Sequence, residues 1–260
     1  MISGEKQGIS FYQSEKLLLA GVQNYFLTRK GGFSRGELAK LNLSFRVGDD
    51  PLLVRKNYAL VKEAFGVKTL VTVNQVHGAA VLDLDRQNMD EERLREIEAD
   101  AIITRRKGVA LAVLVADCLP LMLAEPKQGI LALAHCGRRP ILKGVIENSV
   151  RAIVERGGKV KRLIAALGPG VGPECYQVDY AVITEYRGRF PGGEGLVWRK
   201  AGAKYQLDLR EAALAALRES GLEDNQIDDL KLCTCCMEEF FSHRRQRGMA
   251  GRQMALAMLK

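Results

Sequence analysis

Long apolar runs are missing from this chain. None approaches the roughly 20 residues that a helix needs to cross a bilayer, which excludes a membrane-spanning helix. The opening segment, MISGEKQGISFYQSEK, is polar and holds no apolar signal region, so the expectation is a cytoplasmic protein with reduced thiols. Aromatics are scarce, at 6%, and do not interleave with the basic clusters at Arg105–Lys107, Lys159–Arg162 and Arg244–Arg247. That argues against a nucleic-acid binder despite a net charge of +8. The positive excess suits smaller anions, such as phosphate or nucleotides. Paired C-x-x-C motifs are absent too, so the six cysteines form neither a zinc ribbon nor a disulfide framework. No repeat, low-complexity linker or break in composition divides the chain, and one domain over residues 1–260 is expected. At 47% hydrophobic and 27% charged, it has ample material for a folded core.

Histidine is rarer still: His77, His135 and His243 are all there are. Each falls in a polar or Gly-flanked break beside an apolar run. The centre of the chain, Val109 to Arg139, reads VALAVLVADCLPLMLAEPKQGILALAHCGRR. Val109–Val115, Pro120–Ala124 and Ile130–Ala134 read as buried strands, with Asp117 and Cys118 after the first and His135 just past the third. A strand-end active site has this appearance; a core hairpin with a chance Cys and His is the plain alternative.

Around this centre, Leu17–Gly21 and Asn24–Leu27 read as short strands leading into a long Gly-rich connection that carries Arg29 and Arg46. Asp50-Pro51 opens a helix whose stripe is Val54, Tyr58, Val61 and Phe65, closed by Gly66. Thr69–Val73 and Ala79–Leu84 are expected strands flanking Gln75 and His77. Met89–Ile97 is expected as a charged helix and Ala99–Thr104 as a strand. Pro140 is expected to open one helix that buries residues from Ile141 to Val154 and stops at Gly157-Gly158. Leu163–Leu167 is a strand running into GPGVGPECYQV, an irregular loop with no Gly-Lys-Ser/Thr and hence no P-loop. Tyr180–Arg189 is helical, Pro191–Gly195 a turn, and Asp208 with Glu211 caps a helix over Leu209–Ser220. Asp229–Leu232 is a strand, and Met254–Leu259 a strand or short helix.

His77, Cys118 and His135 are candidates for one site. Imidazole and thiolate are preferred zinc ligands, and three protein ligands plus water make a catalytic zinc centre. The three lie too far apart for a local zinc loop and suit strand ends gathered from a sheet. Asp117 and Gln75 are then available as proton carrier or supporting partner. The same residues allow a cysteine hydrolase, with Cys118 as nucleophile and a His base. A nucleotide-binding protein or cell-envelope factor without turnover is a third reading. His243, among Arg244, Arg245 and Arg247, suits an anionic substrate or a plain basic surface. The CTCC tetrad is expected as buried structural thiols alternating along a strand, with a second metal as the alternative.

NQVHG, ADCLPLML, AHCGRR, GPGVGPECYQVD and CTCCMEEFFSHRRQRGMAGR, with TRKGGFS and LNLSFRVGDDP, together resemble the YfiH/YlmD family, long named laccase-domain or multicopper polyphenol oxidase proteins. The resemblance implies an α+β fold of mixed sheets flanked by helices. It implies a zinc site on His77, Cys118 and His135, with copper the second choice of metal. It implies phosphorolysis of adenosine, inosine and methylthioadenosine to free base and a ribose 1-phosphate, and in some members deamination of adenosine. Purine nucleoside and phosphate are thus the expected partners of a monomer or weak homo-oligomer. Catalysis is expected from Cys118, Asp117, His77 and His135, and substrate binding from Arg29, Arg46, Gln75, Arg139, His243 and Arg245. The chain departs from the family where AHAGWRG becomes AHCGRRP, placing Cys136, Arg138 and Pro140, and where a family His is Arg46. Three histidines are too few for a multicopper cluster.

Overall fold

The computed structural model describes every residue from 1 to 260 except Met89. The chain opens with a hairpin of β1 (Ile2–Lys6) and β2 (Ile9–Gln13), absent from the sequence-based expectation because its exposed face is polar. Next comes a helix, α1 (Glu15–Leu19), where a strand was expected. Ser14 decides this: its side chain accepts the Leu17 N–H and caps the turn, while Leu19 points to solvent. After β3 (Val22–Leu27) and the long loop comes α2 (Pro51–Phe65), capped by Asp50 and ended by Gly66 at φ 65°. Its expected stripe is buried.

The chain continues through β4 (Thr69–Val71), β5 (Val81–Asp83), α3 (Glu91–Leu94) and β6 (Ala101–Thr104). The charged helix is shorter than expected, because Asp90 caps it by accepting from Glu92 and Arg93. Its expected start, Met89, lies outside the described residues. The central strands are β7 (Val109–Val115), β8 (Leu119–Glu125) and β9 (Ile130–Cys136). Two helices, α4 (Arg138–Leu142) and α5 (Val145–Glu155), replace the single one expected after Pro140. Gly144 at φ 83° breaks them, Pro140 sits within the first turn where proline is tolerated, and Val154 is exposed. Then follow β10 (Ile164–Leu167), β11 (Gln177–Val178), α6 (Tyr180–Arg189), the unexpected hairpin β12 (Trp198–Ala201) and β13 (Lys204–Leu207), α7 (Leu209–Glu219), β14 (Ile227–Asp229) and β15 (Gln253–Leu259).

Two six-stranded mixed sheets result, ordered β1-β2-β3-β15-β7-β4 and β14-β10-β8-β9-β6-β5, beside a small sheet β11-β13-β12. This is the expected α+β architecture. The large sheets pack face to face: Val71, Leu111, Val113 and Ala255 of one meet Ile102, Met122, Leu131 and Leu133 of the other. Helix α2 covers the outer face of the first sheet through Tyr58, Val61 and Phe65. Helices α4, α5 and α7 cover the second through Ile141, Ile146, Ile153 and Leu217. Both faces of the central strands are therefore buried, which is why they read as continuous apolar runs rather than alternating ones. Replacing a leucine of this sandwiched layer, such as Leu133, by alanine is worth about 2–5 kcal/mol.

Candidate metal centre and its pocket

The donors meet at the seam between the two large sheets. Along β9, Leu131 and Leu133 face the first sheet while Ala132 and Ala134 face the helices. The two-residue period puts His135 on the side of Leu133. His135 is thus inside β9, opposite Pro120 of β8, and not just beyond the strand as expected. Cys118 lies in the connection between β7 and β8, where the chain passes from one sheet to the other. His77 lies between β4 and β5, a second such passage. The sequence reading drew all three from one sheet; the structure draws them from the junction of two.

Donor atoms of His77, Cys118 and His135 lie within 4.8 Å of one another. The two imidazole rings are 4.8 Å apart, edge to face. Asp100, which sequence reasoning missed, organises both. It is fully buried, and its carboxylate lies 2.8 Å from His135 Nδ1. It also accepts the backbone N–H groups of Val76 (3.2 Å), His77 (3.1 Å) and Gly78 (2.5 Å). Burial alone would push this carboxyl up; hydrogen bonds from His135 and Gly78 more than offset it and hold it below its ordinary range. As an anion, Asp100 accepts a hydrogen bond from His135 Nδ1–H, which leaves Nε2 for the cluster. Its hold on the 76–78 backbone keeps His77 at φ 55°, a left-handed conformation unusual for a non-glycine residue.

The two imidazoles differ electrostatically. Burial and then the neighbouring His135 push His77 down. Burial also opposes protonation of His135, but Cys118 and Asp100 outweigh it and raise this ring to about 9. A cation in place of the shared protons resolves this crowding, and two imidazoles with one sulfur match the donor preference of zinc, leaving a fourth position open. Gly137 keeps that space clear: a Cβ there would lie 2.7 Å from Cys118 Sγ and 3.4 Å from His77 Nδ1.

Asp117 was expected as proton carrier or supporting partner, and its carboxylate is engaged in bracing the turn. It accepts from Thr234 Oγ1 at 2.6 Å and from the Arg244 N–H at 2.7 Å, with its own backbone at φ 84°. It acts as a knot that joins the Cys118 turn to the C-terminal segment. Gln75 is likewise a brace: Nε2 donates to the Leu114 carbonyl at 2.9 Å and Oε1 accepts the Leu114 N–H at 2.8 Å.

The cluster opens onto a cavity of about 910 Å³, within the range of small-molecule sites. Gln75, Arg46, Arg139 and His243 line it, as do Arg244 of the His243 run, and Arg138 and Arg252, which the sequence reading did not assign to substrate. Arg46 is engaged by Asn74 and, at 3.1 Å, by Glu96. Arg244 stacks on Tyr176, 4.6 Å from its ring centre. Arg138 pairs with Glu185 at 3.3 Å and accepts the Tyr186 hydroxyl at its carbonyl. Two expected anion binders are not at the cavity. Arg29 donates to the Ala39 carbonyl and stacks on Phe241; Arg245 donates to the carbonyls of Thr234, Cys235, Met237 and Phe240. Each guanidinium satisfies loop carbonyls that lack a strand partner.

Residues 23–260 match the family described as multi-copper polyphenol oxidoreductase laccase. The chain belongs to this family. It is 36% identical over 245 residues to a protein named purine nucleoside phosphorylase YlmD from Geobacillus stearothermophilus, covering 91% of this chain and 89% of that one. It is 37% identical over 230 residues to a purine nucleoside phosphorylase of Streptomyces coelicolor, covering 87% and 91%. The crystal structure of Geobacillus stearothermophilus YlmD superposes with a TM-score of 0.90 at 32% identity, covering 99% and 98%. That of the hypothetical protein YfiH of Bacillus licheniformis gives 0.89 at 28%, covering 97% of each. The copper in the family description finds little here: of the three histidines, His243 lies outside the donor cluster, and two imidazoles cannot build a multinuclear copper centre. Among the described residues, no helix is long and apolar enough to cross a membrane.

Proposed function

We propose that the protein is a zinc-dependent purine nucleoside phosphorylase, acting on adenosine, inosine or methylthioadenosine, with adenosine deaminase activity at the same site. The observation that carries this reading is a His-Cys-His donor cluster opening onto an arginine-lined cavity, in a chain whose relatives bear that name. In phosphorolysis a phosphate oxygen bonds to C1′ of the ribose as the C1′–N9 bond breaks. The base leaves with the bonding pair and is protonated. Arg139 and Arg244 neutralise the phosphate, and Tyr176, held flat by Arg244, offers a face to the purine. Zinc bound by His77, Cys118 and His135 supplies Lewis acidity toward a phosphate or water oxygen. Asp100 keeps His135 in the tautomer that leaves Nε2 free. In deamination water replaces phosphate, attacks the purine carbon bearing the amino group, and ammonia leaves. The reading includes a cytoplasmic enzyme, monomeric or weakly self-associating, with none of its six cysteines in a disulfide.

Incubation with adenosine and phosphate, followed by chromatography, tests it. Adenine reports phosphorolysis, inosine deamination, and hypoxanthine both in sequence. No product above a Cys118→Ala control rejects the proposal.

Cysteine hydrolysis has one observation in its favour: Cys118, His135 and Asp100 stand in the order nucleophile, base and orienting carboxylate. His77 has no part in such a triad, whereas a metal site uses it. Stoichiometric metal in the purified protein favours the phosphorylase; rapid alkylation of Cys118 in metal-free protein as purified favours the hydrolase.

A further inference from the structure

A second group of sulfurs lies outside the chemistry above. The sulfurs of Cys175, Cys233 and Cys236 lie within 4.8 Å of one another, and Cys175 Sγ is 3.4 Å from Cys236 Sγ. The tetrad was expected to alternate along a buried strand. Instead residues 233–236 form a turn, which carries Cys233 and Cys236 to one side, with Cys233 half-buried and Cys236 exposed. Cys175 arrives from the irregular Gly-Pro loop.

The backbone builds this proximity. Gly170 and Cys233 form a bridge, in which Gly170 N–H donates to the Leu232 carbonyl and Thr234 N–H to the Gly170 carbonyl. Gly172 N–H donates to Cys233 Sγ at 3.1 Å, a contact that favours thiolate. A Cβ at Gly172 would stand 3.2 Å from that sulfur. A disulfide needs two sulfurs; the site presents a third.

We propose that Cys175, Cys233 and Cys236 hold a thiophilic divalent cation such as zinc. Each ligand releases its thiol proton to solvent as it binds. The role is structural, since the cation ties a segment that walls the cavity to the turn that braces Asp117. Tyr176 follows Cys175 directly, and Thr234, between Cys233 and Cys235, holds Asp117 beside Cys118.

Elemental analysis of protein purified without chelator tests this. About two zinc ions per chain are expected, falling to about one in Cys175→Ser/Cys236→Ser and to about one in His77→Ala/His135→Ala. Should the double serine variant fail to fold, cobalt loading of Cys118→Ser gives an independent answer. That variant has no sulfur at the first site, so a thiolate-to-cobalt charge-transfer band reports the second. An absent band overturns the proposal. So does a thiol titration of unreduced, denatured protein that finds two thiols missing, since the pair is then a disulfide.

Discussion

One oxygen of Asp100 lies 2.8 Å from Nδ1 of His135 and 3.1 Å from the backbone nitrogen of His77. A single buried carboxylate thus sets the ring of one imidazole and the backbone of the other. Asp100→Asn keeps the shape and removes the charge. Its carboxamide oxygen can still accept the Val76 and Gly78 amides, so its NH₂ turns to His135, takes the place of the acceptor for the His77 N–H, and forces the proton onto Nε2, the atom facing the cluster. Zinc affinity is expected to fall about 10–100-fold, measured by competition with a chromophoric chelator. Unchanged affinity would remove Asp100 from the argument.

Gly137→Ala tests the space beside the donors. The new methyl would press on Cys118 Sγ at 2.7 Å, and the sulfur belongs to a short turn that Asp117 holds rigid. Metal content and nucleoside turnover are expected to drop at least tenfold together while far-ultraviolet circular dichroism stays as in the parent. A variant with full metal and full turnover would show that the turn yields.

Arg139→Ala separates substrate binding from metal binding. The arginine lines the cavity but offers no ligand atom. Losing one charge-assisted contact of about 1.5–3 kcal/mol raises the KM for phosphate roughly 10–100-fold. Zinc content should not change. A variant that sheds zinc instead would mark Arg139 as a structural residue.

Glu125, far from this chemistry, is expected to contribute to acid stability. It is fully buried and accepts from Gln128 N–H at 2.6 Å and from Arg162. Burial raises its carboxyl, but these bonds win and hold it below its ordinary 4.5. Because the folded value is the lower one, the contribution is present above 4.5 and is lost as pH falls through the folded value. Glu125→Gln is expected to cost about 2–3 kcal/mol near neutrality and to flatten the acid limb of stability measured by urea titration below pH 4.5. An acid limb as steep as the parent's would assign it to other carboxylates.

What could be read from the sequence follows from burial. Strands β7, β8 and β9 are covered on both faces, so their runs Val109–Val115, Leu119–Glu125 and Ile130–Cys136 stand out without any period. The β12–β13 hairpin has exposed positions and polar residues such as Arg199, Lys200 and Lys204, and leaves no such trace. Ligand chemistry alone selected His77, Cys118 and His135, and the fold brings their donor atoms together. Asp100 escaped notice because its link to His135 is lateral: β6 and β9 pair Ala101 with Ala134, and the next step along that register meets in the Asp–His pair. No local pattern carries that. The clue was a carboxylate abutting the apolar run Ala101–Ile103. Arg29 and Arg245 misled for the opposite reason, because a cation in a Gly-rich loop can serve the loop's own carbonyls as well as any ligand.

The junction of the two large sheets has one last consequence. His135 belongs to one sheet and His77 to a crossover from the other, so the ion proposed for this cluster would rivet the two sheets together. Unfolding must then release that ion, and its free concentration enters the folding equilibrium alongside temperature and denaturant. Cells starved of the metal would lose the molecule itself, by faster turnover of the chain, as well as its catalysis.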